Sequence, residues 1–295
     1  MADGIDEAFG AFEQSLRPTA GERDALLALR ERAATALATE SKVLRLVDTG
    51  AHAHGTAVRS VSRFDVFVVL RGKPKSFARA VETVRGAVPS SVMGETIGQL
   101  GTSPDADVLV EQHGSPGLRL IPAFEAPEEA GDVLWVPDAA HRWVRHRPAA
   151  RPVLLSRIDD DGMLRRLIRL LIAWKHGQGI AASSYYLETA AILQALQQRS
   201  FSTLWDLCWL WERFAVDSLV NLPDITSPSQ TQMVRACGSL ARVIEAQFPI
   251  DRAASSARRA VNASMDGDLE TCAAALRALF GDAFPELTAP PASAL

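Results

Sequence analysis

The sequence predicts an α+β protein in two parts. A lobe of mixed sheet flanked by helices spans residues 1–152, and an all-helical lobe spans residues 153–286. Short β-branched or apolar runs bounded by glycine and proline recur up to about residue 136. Beyond Pro152 only helical periodicity remains. The change falls inside Arg147-Pro148-Ala149-Ala150-Arg151-Pro152, a connection punctuated by prolines. The last stretch, residues 287–295, is rich in alanine and proline and is expected to be a disordered tail.

Ile5, Phe9, Phe12 and Leu16 recur at helical spacing up to Pro18, so the chain opens with an amphipathic helix. Thr19 is placed to cap a second helix running to about Leu37. Val43 to Val47 reads as a strand leading into a glycine turn. Phe64 to Leu70 reads as a strand buried on both faces, because apolar residues follow one another without alternation after Asp65. A helix from Ala78 to Val88 closes at Pro89. Asp107 to Gln112 and Leu118 to Phe124 form a hairpin turning at Gly114-Ser115-Pro116-Gly117, and Val133 to Val136 adds a short strand. Helical periodicity then marks residues 164–176, 184–198, 204–219, 231–248 and 269–280.

With 295 residues, of which 47% are hydrophobic, the chain can bury a large core. A net charge of −4 and a pI near 5.9 give no global pull toward nucleic acid or an anionic membrane. No apolar run approaches the roughly 18 residues a membrane span needs. The N-terminus, Met1-Ala2-Asp3-Gly4-Ile5-Asp6-Glu7, is acidic and lacks a signal-peptide pattern. Cys208, Cys237 and Cys272 are far apart and in apolar surroundings, as buried thiols of a reducing compartment would be. A cytoplasmic protein with no nucleic-acid or membrane partner is expected.

The most informative stretch is Thr49-Gly50-Ala51-His52-Ala53-His54-Gly55-Thr56, followed by Ser62-Arg63-Phe64-Asp65-Val66-Phe67-Val68-Val69-Leu70. Two glycines allow close backbone approach in the turn, and a carboxylate, Asp65, starts the next strand. This layout resembles the opening of the polymerase-β-like nucleotidyltransferases. Further along come Leu118-Arg119-Leu120-Ile121-Pro122-Ala123-Phe124, the helix Leu164 to Lys175, Ser183-Ser184-Tyr185-Tyr186-Leu187-Glu188, and Ala278 to Pro285. Their order and spacing resemble the bacterial CD-NTases, relatives of cyclic GMP-AMP synthase and oligoadenylate synthase, from about residue 20 to residue 286. The resemblance implies a polymerase-β-like nucleotidyltransferase lobe, a helical lobe and a nucleotide cleft between them. In active members it implies synthesis of cyclic or linear oligonucleotide signals for anti-phage defence.

Such chemistry needs carboxylates that hold two Mg²⁺ ions, which activate the attacking hydroxyl and neutralise the leaving pyrophosphate. Aligned on the resemblance, the family's Asp-x-Asp pair falls on Arg63 and Asp65, and its third aspartate falls on Arg119. The turn serine falls on Ala51, and a phosphate-gripping lysine falls on Ile172. Gly50, Gly55, Thr56, Asp65, Ser184 and Tyr185 are retained. One aspartate beside two guanidiniums cannot hold two divalent cations, so metal-dependent nucleotidyl transfer is expected to be absent, with Asp65 a catalytic remnant and no metal bound. Three carboxylates with two Mg²⁺ sum to a charge of about +1, as do Arg63, Arg119 and Asp65. The guanidiniums can therefore clamp a phosphate or carboxylate directly. The expected ligand set is Gly50, His54, Gly55, Thr56, Arg63, Arg119, Ser184 and Tyr185, around a nucleotide or other anion. In the competing arrangement an arginine pairs with Asp65 and plugs the cleft. A regulatory partner role, as a homo-oligomer or paired with an active relative, also fits. The alternative is an active synthase using Mg²⁺, or another enzyme using the same cleft.

His52 and His54 can be drawn with Asp65 as a metal or acid–base cluster, but His-x-His converges only on an extended backbone, and the resemblance implies a short helix here. Tyr185 is expected either to stack on a base or to pack in the core beside Tyr186. Leu204, Trp205, Leu207, Trp209, Leu210, Trp211 and Phe214 cover more than one helix face, which points to a core helix or a partner surface. Arg142, Arg145, Arg147 and Arg151 around Trp143 and His146 read as a solvated basic face.

Overall fold

A computed structural model describes residues 2–88, 108–112, 115–129, 131–198 and 201–287. Asp107, the turn glycine Gly114, Pro89 and the expected tail from residue 288 lie outside the described residues. The chain divides into two compact units. The α/β unit comprises residues 18–158 and 223–238, and the helical unit comprises residues 1–17, 159–222 and 239–295.

In the α/β unit, α2 (Ala20–Leu37) starts where Thr19 Oγ1 accepts the amide of Glu22 at 3.1 Å. Strand β1 (Val43–Thr49) runs straight into the short helix α3 (Gly50–His54), and β2 (Phe64–Leu70) returns antiparallel to β1. Helix α4 (Phe77–Ala87) begins at Ser76, whose hydroxyl accepts the amide of Arg79. Strand β3 (Val108–Gln112) then pairs antiparallel with β4 (Ser115–Glu125), an eleven-residue strand that also lies parallel to β2. Strands β5 (Leu134–Pro137) and β6 (Trp143–His146) complete a sheet of order β1-β2-β4-β5-β6, with β3 on the β5 side of β4. Helix α5 (Ala150–Ile158) ends the first segment of the unit.

The alternation of β2 sorts its residues into two packed layers. Phe64, Val66, Val68 and Leu70 join Leu118 and Leu120 of β4 under α2 and α4, packing on Leu26, Leu29, Val81 and Val84. Phe67 and Val69 face the other side with Ile121, Ala123, Leu134 and Val136. Both faces are covered, which is why β2 reads as an unbroken apolar run. Asp65 shares the second face at the end of β2 nearest the glycine turn.

The helical unit contains α1 (Ala2–Leu16), α6 (Met163–Gly177), α7 (Ser184–Ala195), α8 (Thr203–Val216), α9 (Leu240–Asp266) and α10 (Leu269–Phe280). Two segments depart from a linear division at residue 152. Helix α1 belongs to the helical unit because Phe9 and Phe12 pack edge-on or tilted against Phe280 and Phe284, and Glu13 pairs with the buried Arg169. Residues 223–238 return to the α/β unit; they hold β8 (Met233–Val234) and the second residue of its partner β7 (Leu222–Pro223). There Gln232 exchanges two hydrogen bonds with the backbone of Arg145, and Asp224 sits 3.6 Å from Arg151.

The helix expected over residues 231–248 is corrected at both ends. Its first residues contain β8, the helix starts after Ser239, and it passes through Pro249 to Gly267. Pro249 lies about two and a half turns beyond the start, where it costs one ladder bond and does not end the helix. The expected solvated basic face is also corrected in part. Arg142 and Arg145 pair with Asp138 and Glu129 near the surface, but Arg151 is 1% exposed beside Asp224, and His146 is buried. The three cysteines are buried thiols, and burial pushes those of Cys208 and Cys272 up to about 11. Among the described residues no helix is long and apolar enough to cross a membrane.

Candidate functional site

Strand register builds the site. Thr49 of β1 lies opposite Asp65 of β2, and Asp65 lies beside Arg119 of β4. Parallel pairing therefore brings together two residues 54 apart in sequence. The Arg119 guanidinium donates from Nε to Asp65 Oδ1 at 2.8 Å and from Nη2 to Oδ2 at 2.7 Å. This is a two-pronged fork in which both carboxylate oxygens are engaged. The Asp65 side chain is 13% exposed and that of Arg119 is 37% exposed, so the carboxylate is the more sheltered partner.

The turn closes over this pair. Gly50 has φ +69°, and a Cβ there would stand 2.3 Å from Asp65 Oδ2. Only glycine permits both the left-handed backbone and the approach. Helix α3 ends in a two-bond cap. Gly55, at φ 75°, donates to the carbonyl of His52 at 3.3 Å, and Thr56 donates to the carbonyl of Ala51 at 2.8 Å. His52 stacks on Phe64 with ring centroids 5.4 Å apart, and its Nε2 lies 3.0 Å from the carbonyl of Ser62.

Two expected ligand residues point the wrong way. His54 is 3% exposed and Thr56 is 0% exposed, so neither side chain reaches the surface. The helical turn of α3 directs His54 inward, toward the buried group formed by His146, Arg151 and Asp224. Burial, reinforced by the Arg151 charge, lowers His146 to about 4, and Asp224 opposes the shift. Arg63, just ahead of β2, is exposed, and no ion pair holds it among the described residues.

Ser184 and Tyr185 open α7 in the helical unit. Tyr185 is half-buried, whereas Tyr186 is a core residue whose hydroxyl donates to the carbonyl of Val220 at 2.8 Å. Ile172 is buried, which excludes it from any ligand. Lys175, one turn further along α6, donates from Nζ to Ser184 Oγ at 2.9 Å. Matching single positions passed over this lysine. Its spacing of three from Ile172 on a helix was the signal that could have found it.

The donor set does not suit a two-metal centre. Of positions 63, 65 and 119 only Asp65 is a carboxylate, and Arg119 donates to both of its oxygens. Among the described residues no group of three His, Cys, Asp or Glu side chains is arranged to hold a metal ion. What the arrangement offers is a net positive end of the sheet, with Arg63 exposed and the Arg119 charge compensated by Asp65.

No protein-family model matches the sequence, and no curated protein does. Solved structures do. CdnC of E. coli MS115-1, solved with ATP, superposes with a TM-score of 0.72 over 95% of this chain and 98% of its own, at 15% identity. The fold is that of the CD-NTases. The CD-NTase CdnG of Bradyrhizobium diazoefficiens, solved in complex with GTP, matches at TM-score 0.64 and 13% identity over 94% of this chain and 95% of its own. The Vibrio cholerae cyclic AMP-GMP synthase DncV, solved with the linear intermediate pppA(3′,5′)pG, matches at 0.59 and 13% identity over 92% and 93%. Identities this low carry the CD-NTase fold alone.

Proposed function

We propose that this chain is a catalytically degenerate CD-NTase-like protein that binds a nucleotide or similar anion without a divalent cation. The Arg119–Asp65 fork carries the proposal. A carboxylate that accepts from a guanidinium at both oxygens has half of its lone pairs already engaged, and the guanidinium charge repels a divalent cation from the position beside it. The exposed Arg63 is available for a phosphate, and Gly50 keeps the turn close to the same end of the sheet. The neighbours solved with ATP and GTP support a nucleotide as the ligand class. CdnC solved in complex with HORMA-deltaN supports a regulatory, partner-dependent setting. On this reading the protein serves nucleotide signalling, including defence against phage, as a binder or regulatory partner and not as a synthase.

Titration of the protein with ATP and with GTP in EDTA, then in Mg²⁺, tests this directly. Binding is expected in EDTA, equal or weaker in Mg²⁺ because the metal neutralises the phosphates, and lost in Arg63→Glu. Absence of nucleotide binding under both conditions defeats the proposal. So does formation of an oligonucleotide product from NTPs with Mg²⁺ or Mn²⁺.

A further inference from the structure

Thirteen large apolar side chains stand exposed among the described residues, and seven of them fall on α8, just after it, or on α9. Leu240, Ile244 and Phe248 are 73%, 65% and 69% exposed. Their spacing of four puts them on one face, so the first turns of α9 present an apolar stripe to water. Val216, 81% exposed, ends α8 beside that stripe, since Gln247 of α9 donates to the carbonyl of Ala215 at 3.1 Å. Trp209 continues the face along α8, which runs antiparallel to α9, as the Glu212–Arg258 and Ala215–Gln247 bonds require. An exposed concentration of this kind marks a contact surface.

The charges on α9 indicate what covers it. Between Leu240 and Arg252 the helix carries Arg242, Glu245, Asp251 and Arg252, two of each sign. A neutral mixed rim gives no attraction for nucleic acid or for a strongly charged protein. Glu245 and Arg252 are seven residues apart and so share one flank of the stripe. In an antiparallel pair of identical helices related by a two-fold axis, like flanks face each other. An axis level with Phe248 sets Glu245 opposite the partner's Arg252, and the symmetric pair repeats on the other side. Arg252 has no ion pair of its own among the described residues; its guanidinium lies 5.9 Å from the centre of the Phe248 ring. The same axis brings the two Phe248 rings together and passes close to Val216.

We propose that the α8–α9 face is a homodimer interface, occupied by a second copy of this chain in antiparallel register. The interface is independent of what the nucleotide-binding end of the sheet does. Sedimentation velocity on the full chain over a wide concentration range tests it, with far-UV circular dichroism confirming that each variant is folded. The expected result is a reversible monomer–dimer equilibrium that Phe248→Asp abolishes. Glu245→Arg and Arg252→Glu should each weaken it by about tenfold or more, and the double charge swap should restore it, since the opposed pairs are re-formed with signs exchanged. A chain that is monomeric at every concentration overturns the proposal. A dimer indifferent to Phe248→Asp, or a double swap no tighter than the single variants, overturns it equally.

Discussion

Breaking the Asp65–Arg119 fork should cost unequal amounts depending on which partner is removed. Two unit charges about 4 Å apart attract by about 4 kcal/mol at an effective dielectric of about 20. Desolvation and side-chain ordering oppose this, and the 37% exposure of Arg119 screens it further. A net coupling of about 1–2 kcal/mol remains. Arg119→Ala leaves a sheltered carboxylate beneath Gly50 without its two donors, so a loss of about 2–3 kcal/mol is expected. Asp65→Ala leaves a guanidinium that can turn to water, so its cost is smaller, about 1–2 kcal/mol. The double variant should be less destabilised than the sum by the coupling energy. Urea unfolding of the four proteins measures the cycle at low salt, and repetition at high salt should shrink the coupling only modestly because the carboxylate is sheltered. A coupling below about 0.3 kcal/mol would mean that the fork is not an organising contact, and the case for a blocked metal position would fall with it.

Gly50→Ala should destabilise by more than about 2 kcal/mol, combining left-handed strain with the clash against Asp65 Oδ2. In an Asp65→Ala background the contacts with Oδ2 and Cγ are removed and only Cβ at 3.0 Å remains, so thermal unfolding should show a smaller loss, mainly the backbone part of about 1 kcal/mol. Stability should also fall on acidification. His146 is held neutral in the fold at about 4 against 6.5 when unfolded, so the unfolded chain takes up the proton first as pH drops. The contribution is present above about 6.5 and is lost as pH falls toward 4, amounting to about 2 kcal/mol between pH 7 and pH 5. Denaturant unfolding at those two pH values checks this, and a His146→Phe variant should lose that share of the pH dependence.

Local features were legible where the determinant lies within a few residues. The alternation and apolar continuity of β2, the cap at Thr19 and the glycine turn all follow from short-range sterics and periodicity. Pro249 misled for a related reason: proline interrupts one hydrogen bond locally, but whether a helix continues depends on the packing of the residues beyond it, and Ile250, Ala253 and Ala257 are buried. His54 misled because its place in the ligand set came from the resemblance, which does not fix the direction of a side chain, and in the helical turn of α3 it is 3% exposed.

The sequence by itself determined the α+β class, the glycine turn against a carboxylate strand, and the presence of arginines at positions 63 and 119 around Asp65. Those depend on residue identity and on nearest neighbours. Tertiary structure alone decided that Arg119 closes on both oxygens of Asp65 while Arg63 stays open to solvent, that Lys175 and not Ile172 reaches Ser184, and that α1 joins the helical unit. The physical reason is common to all three. Each rests on a contact between segments whose register and packing are set by the whole core, so no local pattern of residues can encode which partner is within reach.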